Sequence, residues 1–490
     1  MNKKIYGYCI LTMLWSFCLV ALEPSSNEQK TAALYTSFFK GEKPEIAKLN
    51  LFLTQMPKGG DLHHHYSGSI YVETYLEWLE EKQWGIDVKT LKIWPNEVTQ
   101  SNDSVLTIPD LRKNDILYRK LLTLWSNKDY DNHCHEQVPP DSNFFYSFSY
   151  FKEISPLNHA LGLAILKERA IKENVSYIET MISNVGVSSK NYYSNLEIEA
   201  LIASLRSAKT QEAANAIFVE VENKLLKNID FLAVIDGFTN NLEKNHRGID
   251  DEDFMMRYQT YAVRVNDPLQ VFCELLAAYI ACENNRNLVG VNIVAPENNN
   301  VALQDYTLHM QMYNYLKSKY PDVKRALHAG ELTCGMVRPK NLKFHIKEAI
   351  DIAGAQRIGH GVDIPYEEDS LATLEKIKNK SVVEINLTSN EFILGVKDQE
   401  HPYLIYDAYD VPMVISTDDS GVSRNNLCNE YLLLTSRYKP SYKKIKTYVF
   451  NSVKYAFLNE EDKQLLQKRV ELKFKDFERD MALFSDKLQK

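Results

Sequence analysis

The chain has 490 residues, 44% of them apolar and 25% charged, with a formal net charge of −8. That length suits one large α/β domain with insertions or two domains, and the composition is ordinary for a soluble globular protein. The acidic balance argues against a broad nucleic-acid-binding surface.

The N-terminus opens with Lys3 and Lys4, followed by the uncharged run IYGYCILTMLWSFCLVAL at 5–22. Residues 1–22 read as a secretory signal peptide, with an uncleaved anchor as the alternative. The protein is therefore expected to be secreted or periplasmic, with no stable membrane insertion once the leader is removed. Cys9 and Cys18 fall in the leader. Cys134, Cys273, Cys282, Cys334 and Cys428 are scattered and read mostly as buried small apolar residues rather than a disulfide framework.

Residues 23–57 carry helical apolar spacing in AALYTSFFK and IAKLNLFLTQM. They predict an N-terminal helical extension, which offers a surface for a homodimer. In residues 58–490, eight short apolar runs follow: DLHHHY from 61, VSYIETMI at 175–182, FLAVIDGF at 231–238, LVGVNIVA at 288–295, KRALHAGE at 324–331, RIGHGV at 357–362, SVVEINLTS at 381–389 and PMVISTDD at 412–419. They are rich in Val, Ile and Leu, as doubly covered parallel strands are. Segments such as 158–173 and 268–284 have helical periodicity. Residues 71–140 read as an elaborated first βα connection, with helices, an irregular stretch at WPNEVTQSNDSVLTIPD and no separate core. The alternation predicts a (β/α)8 TIM barrel, with a doubly wound open sheet as the alternative.

In such a barrel the active site forms at the C-terminal ends of the strands. Strand one ends in His63-His64-His65, strand five in His328-Ala329-Gly330-Glu331, strand six in Gly359-His360-Gly361 and strand eight in Thr417-Asp418-Asp419-Ser420. Singly, these read as a helix start, a turn or an N-cap. Together they converge imidazoles and carboxylates on one face. Strand alternation puts His63 and His65 on one side and His64 on the other. Three imidazoles and a carboxylate suit Zn²⁺, with His63, His65, His328 and Asp418 as ligands. Glu331 is the candidate proton donor, His360 the group that orients the attacking water, and Asp419 a substrate holder.

The set LHHHYSG, LHAGE, RIGHGV, NLTSNEF and ISTDDS resembles, in order, the motifs of the adenosine deaminase family, and MPKGGDLHHH is similar to the opening of its secreted, growth-factor-related branch. The resemblance covers about residues 58–425. It implies that a zinc-activated hydroxide attacks C6 of a purine nucleoside, that Glu331 protonates N1, that Asp419 hydrogen-bonds N7, and that ammonia leaves to give inosine. The absence of a PCxxC motif separates it from the zinc deaminases of nucleic acids. Where the family carries an Asp after the HxH pair, to bind ribose, this chain has Tyr66 and Ser67. Where the family places a Gly after strand four, it has Ala295, whose amide is offered to the purine, then Pro296, which has no N–H. Glu297 remains available nearby. A modified adenosine is a rival substrate. A nucleotide would need a cationic pocket, for which Arg338, Lys340 and Lys343 are the candidates. A non-enzymatic binding protein on the same scaffold would have no need of Glu331 beside a metal. His133-Cys134-His135 has ligand chemistry but sits in the insertion.

Overall fold

The computed structural model describes residues 26–128, 130 and 138–488. The expected leader and the His133-Cys134-His135 cluster lie outside the described residues.

Eight parallel strands form one sheet in sequence order: β1 (Gly59–His65), β2 (Val175–Ser183), β3 (Met255–Val263), β4 (Leu288–Val294), β5 (Lys324–Ala329), β6 (Arg357–His360), β7 (Val382–Ile385) and β8 (Met413–Ile415). The sheet closes between its ends. The Asp418 N–H donates to His63 O at 2.8 Å and the His65 N–H donates to Asp418 O at 3.2 Å. The fold is therefore a (β/α)8 barrel, and its seam runs through three of the predicted metal ligands.

The third predicted strand is a correction. FLAVIDGF lies inside the helix Ile229–His246, which buries Phe231, Ile235, Thr239 and Leu242 on one face and is capped by the Asn228 side chain. That spacing is helical, and the contiguous apolar run hides it. The true third strand, MMRYQTYAV, carries Arg257 and Gln259, polar groups that weaken its apolar signal. The stretch expected to be irregular holds part of a three-stranded antiparallel sheet, in which Trp84–Asp87 lies between Ile93–Glu97 and Val105–Leu106.

The helices Ser26–Ser37 and Ile46–Gln55 pack on the long C-terminal helix Glu460–Leu488. The rings of Phe52 and Phe477 meet edge to face at 5.0 Å, and Lys30 pairs with Asp486 at 3.0 Å. Such edge-to-face contacts add about 0.5–1.5 kcal/mol to the burial they accompany. The helix Pro140–Phe151, within the first connection, lays aromatic side chains over the barrel mouth. The four cysteines among the described residues are free thiols, and Cys273 and Cys428 are buried while Cys334 is exposed.

Candidate active site

Alternation along β1 sends His63 and His65 to the barrel axis. His64 turns outward, where its Nδ1 lies 2.9 Å from Thr180 Oγ1. The His65 Nε2 lies 3.2 Å from both His328 Nε2 and Asp418 Oδ1, and the His63 Nε2 lies 3.6 Å from Asp418 Oδ1. Bonds of about 2.0–2.1 Å to a tetrahedral ion would set neighbouring ligand atoms about 3.3 Å apart. The Nε2 of His63 is buried without a hydrogen-bond partner, as a nitrogen awaiting a cation would be. Burial works against a charge on His63, yet Asp418 and Glu384 overcome it and raise its pKa to about 10. The site therefore favours positive charge at that nitrogen, and a divalent ion meets the demand with the ring neutral. The residues present fit a metal.

The outer nitrogens of two of these rings are tied to acceptors. His63 Nδ1 is 2.7 Å from Glu384 Oε2. His328 Nδ1 is 2.9 Å from Asn292 Oδ1, an oxygen that also accepts from the backbone N–H of Ile293. Each ring thus carries its proton on Nδ1 and leaves the Nε2 lone pair free for a metal.

Behind the ligands a polar circuit crosses the barrel. Glu384 Oε1 pairs with Arg357 Nε at 2.6 Å, Arg357 and Gln259 both donate to Glu179 Oε1, at 2.5 and 2.8 Å, and Asn292 Nδ2 donates to Gln259 Oε1 at 3.0 Å. The circuit returns to the metal site through His328. It takes one side chain from each of β1 through β7, and all are buried. Apart from His63 and His328, sequence reasoning missed its members. The signal was present as a charged or amide residue in the middle of a buried run: Glu179 in YIETM, Asn292 in VGVNIV and Glu384 in VVEIN.

Glu331 lines the cavity, with Oε1 3.7 Å from His360 Nε2. Burial raises its pKa to about 8, with the charge of Asp418 adding to the effect and Arg264 opposing it. Its backbone is held by Glu297, which was expected to be available to a substrate. Instead the Glu297 carboxylate accepts from the N–H groups of Gly330 and Glu331 at 3.1 and 2.9 Å and pairs with His345 Nδ1 at 2.6 Å. Burial works to raise the Glu297 pKa, but Arg264 and His345 hold it down to about 2. It is an anion that clamps the loop bearing Glu331.

Three non-glycine residues at strand ends take left-handed backbone angles: Ala295 after β4 (φ 84°), His360 ending β6 (φ 69°) and Asp418 after β8 (φ 59°). Such strain gathers at sites whose geometry the fold over-determines. Asp419 points into the cavity, and burial together with neighbouring Asp418 pushes its pKa well above the carboxylate range. It reaches in because Gly68 has no side chain, since a Cβ there would lie 1.5 Å from Asp419 Oδ1.

The cavity has a volume of about 240 Å³. One wall is apolar, from Phe144, Phe145 and Phe148 with Val294 and Pro296. Ser67 and Ala295 line it, as do His65, His328, His360 and Asp418. Tyr66 does not. Its ring packs edge-on to His159 at 4.7 Å and its hydroxyl points to Asn158 O at 3.3 Å. Arg338, Lys340 and Lys343 are exposed and also lie outside the cavity lining.

Residues 167–473, more than half of the chain, match the family model for adenosine deaminase. An adenosine deaminase of Clostridium perfringens is 30% identical over 193 residues, covering 39% of this chain and 54% of that protein, so the match spans about half of that relative. Among solved structures, an Arabidopsis N6-mAMP deaminase superposes with a TM-score of 0.53 at 17% identity, covering 86% of this chain and 99% of that one. An amidohydrolase from Burkhoderia ambifaria, with bound Zn, has a TM-score of 0.52 at 15% identity, covering 91% and 97%. These two are likenesses of fold. The family match and the site agree, and the chain belongs to the adenosine deaminase family.

Proposed function

We propose that the protein hydrolyses adenosine, or a closely related purine nucleoside, to inosine and ammonia. The observation that carries this reading is Glu331 at the wall of a purine-sized cavity lined by His65, His328 and Asp418, with His63 Nε2 3.6 Å from Asp418. The metal is proposed to be zinc, which suits three imidazoles and a carboxylate and is the ion named for the Burkhoderia amidohydrolase. When bound, zinc supplies a Lewis acid that brings the pKa of a coordinated water toward neutrality.

This chain's own groups do the rest. The Phe144, Phe145 and Phe148 wall holds the flat base and excludes bulk water. Glu331, protonated at neutral pH, donates to ring N1 and draws electron density from C6. Asp419 holds the base at N7, and the Ala295 backbone and Ser67 meet its other edges. The water oxygen adds to C6; one of its protons passes to N6, which leaves as ammonia when the C6–N6 bond breaks, the other restores Glu331, and the proton given to N1 stays in inosine. Among the described residues lining the cavity there is no Lys or Arg, which favours a nucleoside over a nucleotide. The basic start and the uncharged run at 5–22 support export, so the reaction would take place outside the cytoplasm.

The test is the ultraviolet absorbance of adenosine mixed with the protein, with and without a zinc chelator. Chelator-sensitive formation of inosine is expected. Zinc bound at one per chain with no conversion of adenosine would overturn the substrate assignment.

A further inference from the structure

His360 differs from the metal-ligand rings in what stands behind it. His63 and His328 face acceptors. His360 Nδ1 faces the carboxamide of Asn390 at 2.9 Å, placed with its Oδ1 toward the ring, and the Nδ2 of Asn386 at 3.4 Å. The other end of the Asn390 carboxamide lies 2.8 Å from His401 Nε2. On its far side, His401 Nδ1 receives the backbone N–H of Tyr403 at 3.1 Å. His360, Asn390 and His401 are all buried, so none trades these partners for water.

A backbone N–H can only donate. His401 Nδ1 therefore holds a lone pair, and the ring's proton sits on Nε2. The oxygen and nitrogen of a carboxamide exchange on a half-turn of the side chain and are told apart by their partners. With its nitrogen toward His401, Asn390 would need both nitrogens of that ring to be bare. With its oxygen toward His401 it accepts from Nε2–H, and its nitrogen then donates to His360 Nδ1. The Asn386 carboxamide, 3.4 Å away and with no partner on its oxygen, can present its nitrogen to the same atom. Asn390 thus asks for a lone pair on His360 Nδ1, and Asn386 can meet the same lone pair.

We propose that Tyr403 N–H, His401 and Asn390 form a one-way hydrogen-bond relay that fixes His360 as the Nε2–H tautomer, making it a hydrogen-bond donor to the attacking oxygen and not a base. His401 and Asn390 are positioning residues, acting through His360. The His360 Nε2 lies 3.8 Å from Asp418 Oδ2 and 3.7 Å from Glu331 Oε1, so its proton points between the floor of the site and the proton donor. Burial lowers the pKa of His401 to about 3, which agrees with one proton on that ring.

The inference rests on the proposed deaminase reading for its kinetic consequence only. The metal-loaded protein, isotope-labelled at its histidine ring nitrogens, is compared with Asn390→Asp by proton–nitrogen correlation spectra. The His360 signals are identified by their loss in His360→Gln. In the wild type the His360 proton is expected on Nε2. In Asn390→Asp, whose carboxylate only accepts, it is expected on Nδ1, and kcat is expected to fall about 10²-fold with KM within about threefold. A wild-type proton on His360 Nδ1 would overturn the relay, whatever the variant does. A folded Asn390→Asp that keeps the proton on Nε2 would overturn it as well. If the wild type turns over no purine nucleoside, the proposed function falls, while the spectrum still decides the relay.

Discussion

The carboxylate of Glu384 on β7 meets Nδ1 of His63 on β1 at 2.7 Å, and the same carboxylate pairs with Arg357 on β6 at 2.6 Å. A residue in the middle of one buried strand thereby sets the tautomer of a metal ligand on another. Removing the carboxylate's charge with Glu384→Gln leaves Arg357 buried and His63 less basic. Metal affinity is expected to fall about 10–100-fold, read by competition with a chelator. Unchanged affinity would mean that the circuit is structural only.

The neighbouring histidines separate cleanly. His63→Ala is expected to lose the metal, while His64→Ala, whose ring bonds Thr180 outside the axis, is expected to retain it at one per chain. Elemental analysis of the purified variants decides this. A His63→Ala protein with full metal and activity would refute the ligand assignment.

Glu331 provides the pH dependence. Its folded pKa is raised, to about 8, so the proton it must donate is present below that pH and lost above it. kcat/KM is expected to fall about tenfold per pH unit on the alkaline side of about pH 8. Glu331→Gln is expected to lower kcat by about 10²–10⁴-fold and to abolish that limb, with metal content unchanged. An identical alkaline limb in the variant would assign it to another group.

Ala295 holds φ at 84° where its Cβ is opposed by the backbone. An L-residue in the left-handed region costs about 1–2 kcal/mol, and a glycine gives back part of that as unfolded-chain entropy. Ala295→Gly is expected to stabilise the protein by about 0.5–1 kcal/mol, seen as a higher Tm. A lower Tm would show that the methyl group packs well enough to offset the strain.

Ser67 and Tyr66 stand at the positions where the family's ribose-binding Asp is expected. Ser67 lines the cavity and Tyr66 is packed beneath it against His159. Ser67→Ala is expected to raise KM for adenosine several-fold, and Tyr66→Phe to leave it unchanged. The reverse pattern would place the ribose on the other side of β1.

Much of the site was legible in linear form. His63, His65, His328, Glu331, His360, Asp418 and Asp419 stand at strand ends, and period-two alternation separates His64 from its neighbours without any tertiary information. The chain order of motifs and helices is enough for the barrel. The third strand was not legible, because a strand whose inward face carries Gln259 for a polar circuit reads less like a core strand than the helix before it does. Nor was the identity of the residues behind the ligands. Glu384, Asn292 and Glu297 are far from His63, His328 and Glu331 in sequence; pairing of β4 with β5 brings Asn292 to His328 and Glu297 to Glu331, and barrel closure brings Glu384 to His63. Local sequence determines which side of a strand a side chain leaves from. Which group it meets there, and so which nitrogen keeps its proton, is decided by the register of eight strands packed around one axis.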